Sequence, residues 1–179
     1  MGMIRVVRCT NAERIAYGGI EPGRIFFCTD TLKTWIGTAG GDLELGPPNV
    51  GVWTPAISFG LAAVGVVYGG SNGGRYSRFG DWVSITGWMV LTDKGSSVGN
   101  ARIEDLPFTC KNSDSSYSPA TVRLENVSFA DQWTAWVVKN AAAIDLFEVN
   151  NAGVLSALTN ANFANNSTVM MSATYEIEV

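Results

Sequence analysis

Side chains able to do chemistry are few in this chain, and one kind is missing. There is no histidine among its 179 residues. That removes Ser-His-Asp and Cys-His nucleophile systems, HExxH metal sites and any histidine acid–base pair. Carboxylates remain, and two of them can cleave a glycosidic bond when they flank it. The candidates are Glu104, Asp105, Asp145 and Glu148. Glu104 and Asp105 are adjacent, so on a strand they point to opposite faces. Asp145 and Glu148 also differ in parity. Charged residues on strands and in turns ordinarily form a solvated face, so no catalytic residue is assigned and the chain reads as a non-enzyme.

The three cysteines are Cys9, Cys28 and Cys110. Their odd number and wide spacing give neither a disulfide framework nor a CxxC pair. They read as free, buried thiols, and no metal or cofactor is expected. The segment KNSDSSYSP, residues 111–119, sets Asn112, Asp114 and Ser116 at alternate positions. It lacks the glycine and the distal glutamate of a calcium loop, and reads as a polar surface loop. This loop, or the turn near residue 150, can hydrogen bond sugar hydroxyls, with Tyr117 or Trp133 stacking on a sugar face. Tyr117 beside Asp114 is the leading candidate. Loops at the end of a rigid framework are where such contacts are carried.

The framework itself is legible from composition. Hydrophobic residues make up 46% and charged residues only 16%, below the ~25% of an average soluble domain. The polar surface must come from Ser, Thr, Asn and Gly, which suit strands and turns more than surface helices. Net charge is −4, and there is no basic run, so nucleic acid is not an expected partner. No apolar stretch is long enough to span a bilayer. The start, MGMIRVVRCTNAERIAYGG, lacks the apolar region and cleavage site of a secretory signal. The expectation is a protein made and folded in the cytoplasm of its host.

Residues 1–48 form a first unit: a strand near 3–9, a turn at 17–22, and a hairpin in GRIFFCTDTLKTWIG with Thr29, Asp30 and Thr31 at its turn. A lone hairpin is marginal in water, so this one must dock on something. Residues 38–52 read as a linker, with a boundary near 48 at Gly46-Pro47-Pro48. Residues 49–179 then read mainly as strands, with LAAVGVVYGG open between a small-residue strand and a loose loop, and with room for one short helical turn in 156–162. The longest strand runs from Trp82 to Thr92. One face carries Val83, Ile85, Gly87, Met89 and Leu91; the other carries Trp82, Ser84, Thr86, Trp88 and Val90. The second face is too apolar for ordinary solvation. It suits packing of a second sheet, a subunit contact or a ligand platform, with Trp82, Trp88 and Val90 as the interface candidates. The last strand alternates Val169, Met171, Ala173, Tyr175, Ile177 and Val179 against Ser172, Thr174, Glu176 and Glu178. Evenly spaced strands with turn signals between them imply an all-β, antiparallel, jelly-roll-like sandwich preceded by a small hairpin unit.

The series Trp53-Thr-Pro, GGRYSRFGDWVSITGWMVLTDKG, ARIEDLPF and ANFANNSTVMMSATYEIEV resembles the β-sandwich domain of bacteriophage fibre and receptor-binding structural proteins. The step G-x-Y-x-R-x-G is Gly74, Tyr76, Arg78 and Gly80. The LPF strand end is Leu106-Pro107-Phe108, with Asp105 where glycine is commoner. GRIFFCTDTLKTWIG is similar to the TDT hairpin at the start of many phage fibre and tail proteins. The resemblance implies a virion surface protein, a homotrimer, and a first unit that attaches to other virion proteins. Arg24, Phe26, Asp30 and Trp35 are the attachment candidates. It also implies adhesion to a host-surface glycan, multiplied by copy number. The length is short for a whole tail fibre and suits a head fibre, a capsid decoration or a small tail-tip module. A capsid cement protein without a host ligand and a polysaccharide depolymerase are the rival classes.

Overall fold

The computed structural model describes residues 6–16, 22, 24–30, 33–38, 41–45, 49–70 and 72–178. The chain divides into two compact units, Met1–Asn49 and Val50–Val179.

The first unit runs β1 (Val6–Cys9), α1 (Asn11–Ala16), β2 (Ile25–Cys28), β3 (Lys33–Thr38) and β4 (Gly41–Leu45). Its sheet has the order β1-β2-β3-β4. The expected hairpin is β2–β3, with Phe26 opposite Trp35. It does dock: β1 joins β2 in parallel and β4 joins β3 in antiparallel fashion. A parallel pair needs a crossover, and α1 lies in it. That helix was not expected. The Thr10 N–H donates to Glu13 Oε2 at 2.6 Å, and the Glu13 N–H donates to Thr10 Oγ1 at 3.2 Å. This reciprocal cap satisfies two amides that a helix start leaves open. The linker reading of 38–52 also needs correction, because β4 lies inside it. Gly46-Pro47-Pro48, residues 17–21 and Thr31 lie outside the described residues.

The second unit is built from ten further strands and their extension β5 (Asn49–Trp53). These are β6 (Ala56–Phe59), β7 (Val66–Tyr68), β8 (Gly73–Phe79), β9 (Trp82–Lys94) and β10 (Ala101–Glu104). Then come β11 (Ser118–Val127), β12 (Gln132–Val137), β13 (Ile144–Val149), β14 (Leu155–Ala157) and β15 (Phe163–Glu176). The sheet order is β5-β8-β9-β15-β11-β12-β13-β10-β6, with β7 on β9 and β14 on β13. The sheet curls over so that inward side chains from both halves share one core, and the result is an all-β sandwich. Phe59 of β6 meets Phe163 of β15 edge-on at 5.3 Å. Period two sorts the residues. Val83, Ile85, Met89 and Leu91 are buried on β9, and Val169, Met171, Ala173 and Tyr175 on β15. Val179 lies outside the described residues.

The motif that carries the resemblance is framework. Gly74 and Gly87 face each other across β8–β9, and the Trp53 indole lies over them. A methyl at Gly74 would sit 2.3 Å from Trp53 Nε1, so only glycine leaves the ring its seat. Trp53 Nε1–H donates to the Thr86 carbonyl at 3.0 Å. Tyr76 meets Phe108 edge-on at 5.1 Å. Arg78 Nε donates to the Gly80 carbonyl at 2.8 Å and closes the turn.

Candidate ligand-binding site

Five strands place one lateral row of side chains at a single level of the sheet. Pro119 on β11 lies opposite Trp136 on β12, and Trp136 opposite Asp145 on β13. Asp145 lies opposite Arg102 on β10, and Arg102 opposite Ser58 on β6. The neighbouring Val137, Ile144 and Ile103 are fully buried, so alternation turns the row away from the core. Trp136 stacks on Phe147, with centroids 4.1 Å apart and planes 19° from parallel. A cavity of about 490 Å³ opens beside it, lined by Tyr117, Ser118, Pro119, Trp136, Val138 and Asp145.

The loop that supplies Tyr117 is held down at several points. It makes a short 3₁₀ turn, Asp114–Ser116, capped by Ser113. Ser116 is buried and its hydroxyl donates to Glu176 Oε2 at 3.2 Å. Cys110 Sγ donates to the Ser116 carbonyl at 3.2 Å, and the Asn112 N–H donates to Glu178 Oε2 at 2.8 Å. Lys111 pairs with Glu176. Lys139 pairs with Asp114, and its Nζ lies 5.9 Å from the Tyr117 ring centroid. The Lys139 partner holds the Asp114 carboxyl below its ordinary range, by hydrogen bond first and by charge second. A loop so anchored presents Tyr117 in a set place, which lowers the ordering cost of a contact.

Asp145 is the polar group of the cavity. Burial pushes its carboxyl up; Arg102 pulls it back and Glu104 raises it again. Arg102 Nε lies 2.9 Å from Asp145 Oδ1. The two form an ion pair at the edge of the cavity. A carboxylate has more acceptor sites than one partner fills, so Asp145 can also accept from a hydroxyl donor. Flat aromatic surface, a half-buried carboxylate and an open cavity suit a ring with apolar faces and equatorial hydroxyls.

The candidates named from sequence separate in space. Tyr117 and Asp114 come together through Lys139. Trp133 does not join them. It sits at the other end of β12, edge-on to Phe129 at 4.6 Å, and its Nε1–H is given to the Val122 carbonyl at 2.8 Å. Sequence reasoning passed over Trp136, although its parity opposite to Ala135 and Val137 marks it as outward. It weighed Asp145 only as a cleaving group. The other carboxylates are occupied: Glu104 accepts from Ser58 Oγ at 2.8 Å, and Glu148 from the Ala130 N–H at 2.8 Å. Asp105 is a left-handed turn residue with φ 61°.

On β9, Trp82 is 53% exposed and Trp88 37%. Neither ring is fully buried within the chain, and Trp82 is the more exposed of the two. Val90 is half-buried, and its carbonyl accepts the Gly69 N–H at 2.8 Å. In the first unit, Phe26 is core, 1% exposed. Asp30 accepts the Asn11 N–H at 3.0 and 3.1 Å. The Arg14 guanidinium lies 3.9 Å over the Trp35 ring, and the Arg24 carbonyl accepts the Gly37 N–H at 3.0 Å. Phe26 and Asp30 thus hold the unit together.

No family model and no curated protein matches the chain. Among solved structures, the fold resembles the crystal structure of Dettilon tailspike protein (gp208), with a TM-score of 0.61 and 14% identity. The likeness is to a phage tailspike. It covers 73% of this chain and 24% of that one, so the chain spans about a quarter of the tailspike's length. At this identity the likeness is one of fold. Among the described residues, no helix is long and apolar enough to cross a membrane.

Proposed function

We propose that this chain is a bacteriophage tail protein of the receptor-binding type, and that its sandwich adheres to a host-surface glycan. The observation that carries the reading is the anchored cavity of Tyr117, Trp136 and Asp145. A sugar ring would lie against Trp136 and Tyr117 and donate a hydroxyl to Asp145. The tailspike-like fold supports the virion setting. Each such contact is weak, and a homotrimer would convert three of them into avidity. Phe79, Trp82 and Trp88, exposed on one side of β8–β9, are the surface proposed for that self-association. The first unit would attach to other virion proteins. Adhesion needs no bond cleavage, and the engaged state of Glu104 and Glu148 favours a binder over an enzyme.

The test is retention of the purified chain on host cells and on a glycan array. Retention that falls with Tyr117→Ala and Trp136→Ala supports the proposal. Absence of retention, together with tight binding to virions lacking the protein, overturns it in favour of a capsid cement role. Release of reducing sugar from host polysaccharide, lost in Asp145→Asn, overturns the non-enzyme part.

A further inference from the structure

Cys9 and Cys28 are 19 positions apart in sequence but directly opposite each other in the sheet. β1 and β2 pair in parallel from Val6↔Ile25 to Cys9↔Cys28. Paired strands lie about 4.7–4.9 Å apart, inside the ~4.4–6.8 Å Cα window that a disulfide needs. Both side chains are buried, 8% and 0% exposed, on the same side as Phe26. Both are free thiols. Cys9 is also among the residues lining a cavity of about 390 Å³, with Val7, Arg8, Glu13 and Ala16. The third thiol, Cys110, belongs to the sandwich and is engaged with the Ser116 carbonyl.

We propose that Cys9 and Cys28 are a latent cross-strand disulfide, formed by exchange with a small-molecule disulfide once the protein leaves a reducing compartment. The Cys9 thiolate attacks one sulfur of the reagent, and a reagent thiolate leaves. Cys28 gives up its proton and attacks the Cys9 sulfur of the mixed disulfide, and the second reagent thiolate leaves. Two protein thiols are oxidised by two electrons, the reagent is reduced to two thiols, and the two protons end on them. The bond pins β1, which among the described residues is an edge strand paired with β2, and closes the loop that contains α1. A closed loop limits the unfolded chain more than the folded one.

The surroundings set the pace. Burial is the main effect that raises the Cys9 thiol; the hydrogen bond and charge of Cys28 and the charge of Glu13 add to it, and Arg14 opposes. Only the thiolate attacks, so exchange is slow at neutral pH and quickens with alkalinity. This chemistry does not depend on the glycan site, and its test leaves that reading untouched.

The test uses the full-length reduced protein, incubated with oxidised glutathione at mildly alkaline pH, quenched in acid, unfolded and alkylated. The expected result is loss of two of the three alkylatable thiols, with a peptide cross-linked through Cys9 and Cys28 and with Cys110 still free. Dithiothreitol restores all three, and amide hydrogen exchange in β1 slows on oxidation. Cys28→Ser is expected to stop at a glutathione adduct on Cys9. Three free thiols at the end, or a lasting adduct on Cys9 of the unaltered chain beside a free Cys28, overturns the proposal.

Discussion

Two groups of aromatic rings on the outside of the sandwich differ in the polar groups beside them. Tyr117 and Trp136 line a cavity together with Asp145, with Phe147 stacked behind Trp136 and the Lys139–Asp114 pair beside Tyr117. Phe79, Trp82 and Trp88 lie on a strand surface whose neighbours are Ser84, Thr86, Ser172 and Thr174. Ser84 and Thr174 bond to each other through their hydroxyls at 2.8 Å. A concave site with a few convergent polar groups suits a small ring. The second surface has cavities of its own, one of about 360 Å³ lined by Ser84, Thr86, Ser172 and Thr174, but they hold no carboxylate, and exposed rings beside small hydroxyl residues suit another protein surface, where large rings become the anchors. The proposal thus assigns one residue type two uses, according to the polar groups set beside it.

That comparison can be broken at its shared support first. Gly74→Ala drives a methyl into Trp53 and should cost about 1–3 kcal/mol, as overpacking does. Denaturant unfolding would report it, and both surfaces should suffer together. An unchanged midpoint would mean that Trp53 moves freely from its seat.

Next come substitutions that separate the two groups. Trp136→Ala should weaken glycan retention about tenfold or more, the equivalent of ~1.4 kcal/mol, while molar mass by light scattering stays as it was. Trp82→Glu should do the reverse: a lower molar mass, with the affinity of a single site kept. If Trp136→Ala lowers the mass, or Trp82→Glu abolishes single-site binding, the assignment of the two surfaces is inverted.

The smallest effect is a pH dependence. Burial raises the folded-state carboxyl of Asp145 above its unfolded value. The native state therefore holds a proton that the unfolded chain has already released. Stability contributed by this group rises as pH falls through the window just above the ordinary aspartate range, and is lost as pH climbs past the folded value. Ligand retention should move oppositely, because the protonated group no longer offers a charged acceptor. Asp145→Asn should flatten both slopes in melting and binding series, and an unaltered slope would remove Asp145 from either account.

Much of the framework could be read from residue order. The alternation of Val83 to Leu91 and of Val169 to Tyr175 names the core side, because period two leaves a half-buried strand no other solution. The first unit was less legible. The Thr10–Glu13 cap is a local signature that the strand-rich composition outweighed, and β4 is polar and glycine-led like a linker. The candidate site was half visible. Tyr117 and Asp114 sit in one obvious loop, but Trp136 and Asp145 join them only through register across three strands. Trp133 shares the parity of the buried Ala135 and Val137 and Trp136 does not, so alternation already separates the two rings, and the contacts of Trp133 with Phe129 and Val122 agree. Cys9 and Cys28 look unrelated until a parallel pairing sets them side by side.

The central position of β15 carries a consequence for how the protein is made. β15 lies between β9 and β11 and pairs with both along most of its length. It begins about 70 residues after β9 ends. At ~5–20 residues per second, a ribosome delivers it about 3–14 s after β9. Through that interval β9 has a bare backbone edge and an uncovered Ile85 and Met89, so a nascent chain has every reason to find a neighbour's β9 before its own β15. Yield in expression should therefore turn on how quickly translation crosses the stretch between the two strands.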